Sequence, residues 1–254
     1  MMTLTVVGLG PGDPELLTLK GLRAIEAADL IFVPNSREDG DSRALHIAER
    51  WLNRERQQVV HLSVPMTRDS EQIRLTWHAM ADQIGSSLMT LVAEREQDDV
   101  HGVYLLLGDP LLYGTFVYFW DELTERYPNI VLDIIPGVTS FAAVAARAGM
   151  ELSTRSDRVA IVPALYTMDM DYLRHLCASF ETVILMKVGK VLPRVLAELE
   201  HLGLLEKAVY AEHIGMDEER IVRDVRTLKR QQGPYLSLLI IRQRGDDVLP
   251  EGSQ

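Results

Sequence analysis

Gly8-Leu9-Gly10-Pro11-Gly12-Asp13-Pro14-Glu15-Leu16-Leu17-Thr18 sets a glycine-rich turn between a strand and a helix. Thr3–Val7 before it is apolar and β-branched, the pattern of a buried strand. Three glycines let the backbone turn sharply and approach a ligand without Cβ clashes. Asp13 stands where an N-cap belongs and Pro14 where the first helical residue belongs. Leu16, Leu17, Leu19 and Leu22 supply an apolar helical face. An ordinary strand-to-helix turn uses the same residues, but the combination also suits the anionic part of an adenine-containing cofactor.

Two common cofactor fingerprints fit poorly. A dinucleotide site wants Gly at the sixth position, where this chain has Asp13, and an acid closing the second strand, where Leu30–Val33 runs into Pro34. A Rossmann-type methyltransferase generally has an acid two residues before the first glycine, where this chain has Val6. Two further strand exits are more specific. Val103–Leu107 is a buried-strand pattern opening into Gly108-Asp109-Pro110-Leu111-Leu112-Tyr113-Gly114-Thr115. Ile134-Ile135-Pro136-Gly137-Val138-Thr139-Ser140 leaves a strand through Pro-Gly into an Ala-rich helix, Phe141–Ala148. The likeness of Gly12-Asp13-Pro14 to Gly108-Asp109-Pro110 is shared turn chemistry at two strand exits rather than an internal repeat.

With these three motifs in order, followed by Leu185-Met186-Lys187-Val188-Gly189 and Glu212–Val222, nearly the whole chain resembles the tetrapyrrole (corrin/porphyrin) methylases, class III S-adenosylmethionine-dependent methyltransferases. Pro65-Met66-Thr67-Arg68-Asp69, Leu111–Thr115, Val138–Ala143 and Leu185–Val188 resemble most the members that methylate carbon 20 of precorrin-2 or cobalt-factor II in cobalamin biosynthesis. The resemblance implies an enzyme of two α/β domains with mixed sheets, 1–120 and 121–254, holding cofactor and substrate in an interdomain cleft. It implies contacts to S-adenosylmethionine from Pro11, from Leu107, Gly108, Asp109 and Leu112, from Thr139 and Ser140, from Met186 beside adenine, and from Tyr210, Ala211 and Gly215. A homodimer is implied as well.

The sulfonium of the donor is its own leaving group, so positioning and exclusion of water are the main demands on the protein. No triad, metal cluster or Cys/His pair is needed, and no protein-bound metal is expected. His46, His78, His101 and His213 show no pairing in the sequence. A substrate fringed with carboxylates calls for local cations: Arg68 first, then Lys187 and Arg147, although Arg147 in the last turn of a helix equally complements its dipole. Tyr113, Phe116 and Tyr118 are the aromatics for stacking, with Phe116 reading more as core. Relatives acting on uroporphyrinogen carry an Asp, proposed to accept a proton, where this chain has Pro34; Tyr113 and Asp69 are the candidates to replace it.

The chain has 254 residues, net charge −11 and 47% hydrophobic residues, room for one large or two modest domains. The acidic balance argues against nucleic acid and anionic membranes, which need a positive surface. One cysteine, Cys177, forms no internal disulfide, and no 18-residue apolar run or signal sequence is seen, so a cytoplasmic protein is expected. Strands are expected near 3–8, 29–33, 58–62, 102–107, 130–134, 158–163, 181–186, 206–211 and 235–241. Helices are expected near 14–27, 42–54, 70–95, 115–126, 139–148, 169–178 and 190–202. In the long helix, residues 73, 77, 80, 84, 88 and 91 form one stripe, leaving Leu75 and Met89 over as a possible dimer contact or the edge of the core. Competing readings are a protein-modifying (diphthine-type) or ribosomal-RNA methylase of the same fold, disfavoured for RNA by the acidity, and a non-catalytic cofactor-binding sensor.

Overall fold

The computed structural model describes residues 1–35, 42–64, 69–95, 99–166 and 168–243. Arg68, with Pro65 to Thr67, and the tail from 244 onward lie outside the described residues. The chain is α/β and divides into two compact units, Met1–Thr139 and Ser140–Gln254.

The first unit contains β1 (Met2–Gly8), α1 (Leu19–Ala27), β2 (Leu30–Asn35), α2 (Arg43–Ala48), β3 (Gln58–Ser63), α3 (Ser70–Arg95), β4 (Val100–Leu106), α4 (Trp120–Arg126) and β5 (Ile130–Ile135). Its strands lie in the order β3-β2-β4-β1-β5, and every ladder pairing among them is parallel. Parallel strands covered on both faces require apolar residues at successive positions. Accordingly Val103 and Leu105 join a core with Ile25, Val33 and Ile47, while Tyr104 and Leu106 join another with Phe32, Ile84 and Leu88.

The first helix differs from expectation. Asp13 caps only a 3-10 turn, Pro14–Leu16, accepting from Glu15 N at 2.9 Å. Leu17 and Thr18 are then extended, and Thr18 Oγ1 caps α1 by accepting from Gly21 N at 3.0 Å. Two good caps five residues apart split one apolar stripe into two elements. The resemblance implies a boundary near 120, and the two compact units divide between Thr139 and Ser140. α4 is tied to α3 through Arg126–Asp82 at 2.7 Å, and β5 pairs with β1 at the sheet edge.

The second unit contains α5 (Ser140–Ala148), β6 (Val159–Pro163), α6 (Met170–Ser179), β7 (Thr182–Met186), α7 (Leu192–His201), β8 (Ala208–Glu212), β9 (Arg220–Val222) and β10 (Ser237–Arg242). Its order is β6-β7-β10-β8-β9, with β6 and β7 parallel and the remaining pairs antiparallel. Leu173, Leu176, Val195 and Leu199 cover Val183, Leu185, Leu239 and Ile241. β9 was not expected from the sequence, because three residues are too few to show a period.

Where β7 starts, Glu181 accepts from the Arg158 guanidinium at 2.9 Å and from Arg158 N at 2.7 Å. The guanidinium first, then the backbone N–H, hold this carboxyl down to about 2. A depressed folded-state value means the stabilisation is present above the unfolded carboxylate's range and is lost as pH falls. Glu181→Gln is therefore expected to be less stable than wild type in urea at neutral pH, with the difference shrinking between about pH 4.5 and pH 2. A difference that stayed constant across that window would show the ion pair contributes nothing.

Candidate functional site

Because β4, β1 and β5 are neighbours and parallel, their carboxyl ends open side by side. Gly10 and Gly108 exchange backbone hydrogen bonds, Gly108 N to Gly10 O at 2.7 Å and Gly10 N to Gly108 O at 3.3 Å. Both glycines have left-handed φ, 79° and 75°, where side chains are strained. Gly137 from the β5 exit lies against them: a Cβ there would sit 2.1 Å from Gly108 O. A Cβ on Gly8 would sit 2.6 Å from Gly137 N. Asp109 closes the arrangement, Oδ1 accepting from Leu111 N at 2.9 Å and Oδ2 from Gly137 N at 3.1 Å.

At Gly108 the outcome is different. A Cβ there meets nothing within 4 Å, so the requirement for glycine comes from φ, and the backbone faces open space. Glycine backbone with room in front of it, flanked by turn amides, fits the carboxylate end of an amino-acid-bearing cofactor. Pro11 is buried behind this turn, while Leu107 and Leu112 are half-buried beside it. Thr139 and Ser140 are half-buried at the start of α5.

In the second unit, Met186 ends β7 half-buried. Lys187 follows with φ 60° and donates its N–H to Ser237 O at 2.8 Å. Gly189 and Gly233 touch backbone to backbone: a Cβ on Gly189 would meet Pro234 O at 2.2 Å, and Gly233 N donates to Gly189 O at 2.9 Å. The hydroxyl of buried Tyr210 fills the place of a Cβ at Gly233 and donates to Glu212 Oε2 at 2.5 Å. Burial and then Glu212 push that phenol well above its usual range. Ala211 is buried beside it, and Gly215, with φ 76°, donates its N–H to Glu219 Oε2 at 2.7 Å.

The remaining sequence candidates have the following surroundings. Asp69 Oδ1 accepts from Glu71 N at 2.9 Å and Gln72 N at 3.0 Å, which caps α3. Arg147 pairs with Glu219 at 3.4 Å and lies in the last turn of α5. Tyr118 stacks on Trp77 with centroids 5.4 Å apart, and Phe116 is core. Tyr113 is exposed with φ 57°. His78, expected to be unpaired, meets Glu122 across α3 and α4. Among the described residues no group of His, Cys, Asp and Glu gathers as a metal ligand set. A concavity of about 390 Å³ lined by Met2, Met89 and Tyr127 lies at the opposite, amino-terminal end of β1 and is unrelated to the strand exits. Gly137, Gly189 and Glu212 lie within the motifs, but their contacts, and Gly233 altogether, are not legible in the sequence. Each acts on a partner distant in sequence, and only the turn pairs Pro136-Gly137 and Gly233-Pro234 gave a local sign.

The model of the tetrapyrrole (corrin/porphyrin) methylases matches residues 3–228. The chain is 29% identical over 242 residues to the cobalt-precorrin-2 C(20)-methyltransferase of Salmonella typhimurium, covering 95% of this chain and 96% of the relative. It is 28% identical to the precorrin-2 C(20)-methyltransferase of a Sinorhizobium species, covering 92% and 93% of the two. The crystal structure of Thermus thermophilus uroporphyrin-III C-methyltransferase in complex with S-adenosylhomocysteine shares the fold, at TM-score 0.56, 22% identity and 94% and 96% coverage.

The clamp at the three strand exits can be weighed by substitution. Asp109→Ala orphans the Gly137 N–H and is expected to cost roughly 1–3 kcal/mol in urea unfolding. Gly137→Ala pushes a methyl into backbone that has no side chain to yield, and its cost is expected to exceed that of Asp109→Ala. Wild-type stability in both variants would mean the exits do not depend on each other.

Proposed function

Since the chain belongs to the tetrapyrrole (corrin/porphyrin) methylase family, we propose that it transfers a methyl group from S-adenosylmethionine to carbon 20 of precorrin-2 or cobalt-factor II in corrin-ring biosynthesis. The observation that carries this reading is that relatives matching over more than nine-tenths of both chains are named for carbon 20. Cobalt, where present, arrives already chelated and needs no ligand from the protein.

The donor brings an electrophilic methyl on a sulfonium. The chain's task is to hold donor and acceptor in line in a dry site. The turn amides around Gly108 and Pro11 suit the donor's carboxylate, Thr139 and Ser140 offer hydroxyls, Met186 offers an apolar surface for adenine, and Tyr210, Ala211 and Gly215 are the proposed residues closing the far side. The methylated carbon also sheds a proton. Tyr113 and Asp69 are the candidates to help remove it, and Asp69 already accepts two N–H bonds. Arg68, Lys187 and Arg147 are the proposed cations for the substrate's carboxylates, with Arg147 weakened by its pairing to Glu219. No helix among the described residues is long and apolar enough to cross a membrane, consistent with a cytoplasmic enzyme.

Incubation with S-adenosylmethionine labelled in its methyl group is expected to label precorrin-2, cobalt-factor II or both at carbon 20, located by NMR. Cofactor binding without transfer to either would favour a sensor, and transfer to another carbon would reassign the enzyme within the family.

A homodimer is part of the same proposal. Leu75 and Met89, left over from the buried stripe of α3, are 53% and 52% exposed. Light scattering at low micromolar concentration is expected to give about twice the chain mass of 28.6 kDa; a mass near one chain would end the idea.

A further inference from the structure

At one end of the second sheet, two lysines are each set over a tyrosine ring. Lys190 Nζ lies 4.9 Å from the centre of the Tyr166 ring, and Lys187 Nζ lies 5.1 Å from that of Tyr235. Strand direction brings them together. β6 and β7 are parallel, so Tyr166 after one and Lys187 and Lys190 after the other leave the same edge. β10 runs antiparallel to β7 with Leu238 opposite Met186, so Tyr235 enters at that edge too.

The presentation is fixed by backbone. Arg194 of α7 donates to the carbonyls of Tyr166 at 3.4 Å and Met168 at 3.3 Å, tying both residues to the helix. Lys187 is held in its left-handed conformation by the hydrogen bond to Ser237 O. Both rings stay open, Tyr166 51% and Tyr235 60% exposed. Among the described residues no carboxylate lies within ion-pair distance of Lys190. In a chain of net charge −11, this is a local concentration of positive charge beside flat apolar surface.

The Lys190 ammonium, resting on a ring, keeps its other N–H groups for an anion, and an exposed ring offers its remaining surface to a flat ligand. The fitting ligand is a broad macrocycle edged with carboxylates. The methyl donor is a poorer match, since its sulfonium and ammonium carry positive charge toward two lysines. We infer that the Lys190–Tyr166 and Lys187–Tyr235 pairs seat the carboxylate rim of the tetrapyrrole, with Lys190, Tyr166 and Tyr235 as specificity residues. This rests on the proposed function above.

The test uses the full chain with uroporphyrin III, a stable macrocyclic polycarboxylate, and S-adenosylhomocysteine as separate probes. Lys190→Gln and Tyr166→Ala are expected to weaken uroporphyrin III binding about tenfold or more, the scale of a lost bond to a charged group, and to leave S-adenosylhomocysteine binding unchanged. Lys190→Arg and Tyr166→Phe are expected to restore most of the porphyrin affinity. Unchanged uroporphyrin III binding in Lys190→Gln and Tyr166→Ala would overturn the seat alone. Lost S-adenosylhomocysteine affinity would overturn it by placing the lysine at the cofactor. A wild-type chain that does not bind uroporphyrin III would overturn the seat, while the tetrapyrrole reading stands or falls separately on methyl transfer to precorrin-2 or cobalt-factor II.

Discussion

Backbone touching backbone at the ends of β4, β1 and β5 is the constraint on which the first unit depends. A side chain at Gly8 or Gly137 would overlap main-chain atoms, with only 2.1 Å between a Cβ on Gly137 and Gly108 O. Contact that close turns three separate loops into one surface. The front of Gly108 is clear, with nothing within 4 Å of a Cβ placed there. Asp109 shows how the site is built from within. Its carboxylate is aimed at the Gly137 and Leu111 amides and ties the β4 exit to the β5 exit.

The second unit solves a similar problem with different parts. Gly189 and Gly233 make the close approach, and the Tyr210 hydroxyl occupies the volume where a Gly233 side chain would stand. That hydroxyl is itself committed to Glu212, so burial of a polar group is compensated where it occurs. Lys187 and His213, at the ends of neighbouring chain segments, take left-handed φ and bond to the strand entering β10. Strain of this kind persists only where surrounding contacts fix it, and it aims side chains that regular strands would point elsewhere.

The chemistry proposed for the family suits such a scaffold. Methyl transfer from a sulfonium asks for position more than for acid–base groups, and two carboxylates near the motifs bond to backbone amides. Asp69 caps a helix and Asp109 clamps a loop. The cations matter more, since an acidic chain has to gather positive charge where a polycarboxylate substrate would lie. Lys190 and Lys187 each lie over a tyrosine ring.

Local sequence determined most of the regular structure: the alternation of strands and helices, the apolar runs of β1, β4 and β7, and the glycines whose φ no other residue adopts cheaply. The three exit motifs were legible because each is contiguous. What tertiary structure decided was pairing across distance: that β5 closes the first sheet, that His78 meets Glu122, that Asp109 reaches Gly137, and that Lys190 stands over Tyr166. A residue's own neighbours set its backbone, and those are in the sequence. Which atom its side chain meets depends on strands and loops arriving from elsewhere in the chain, and that is settled only when the sheets have formed.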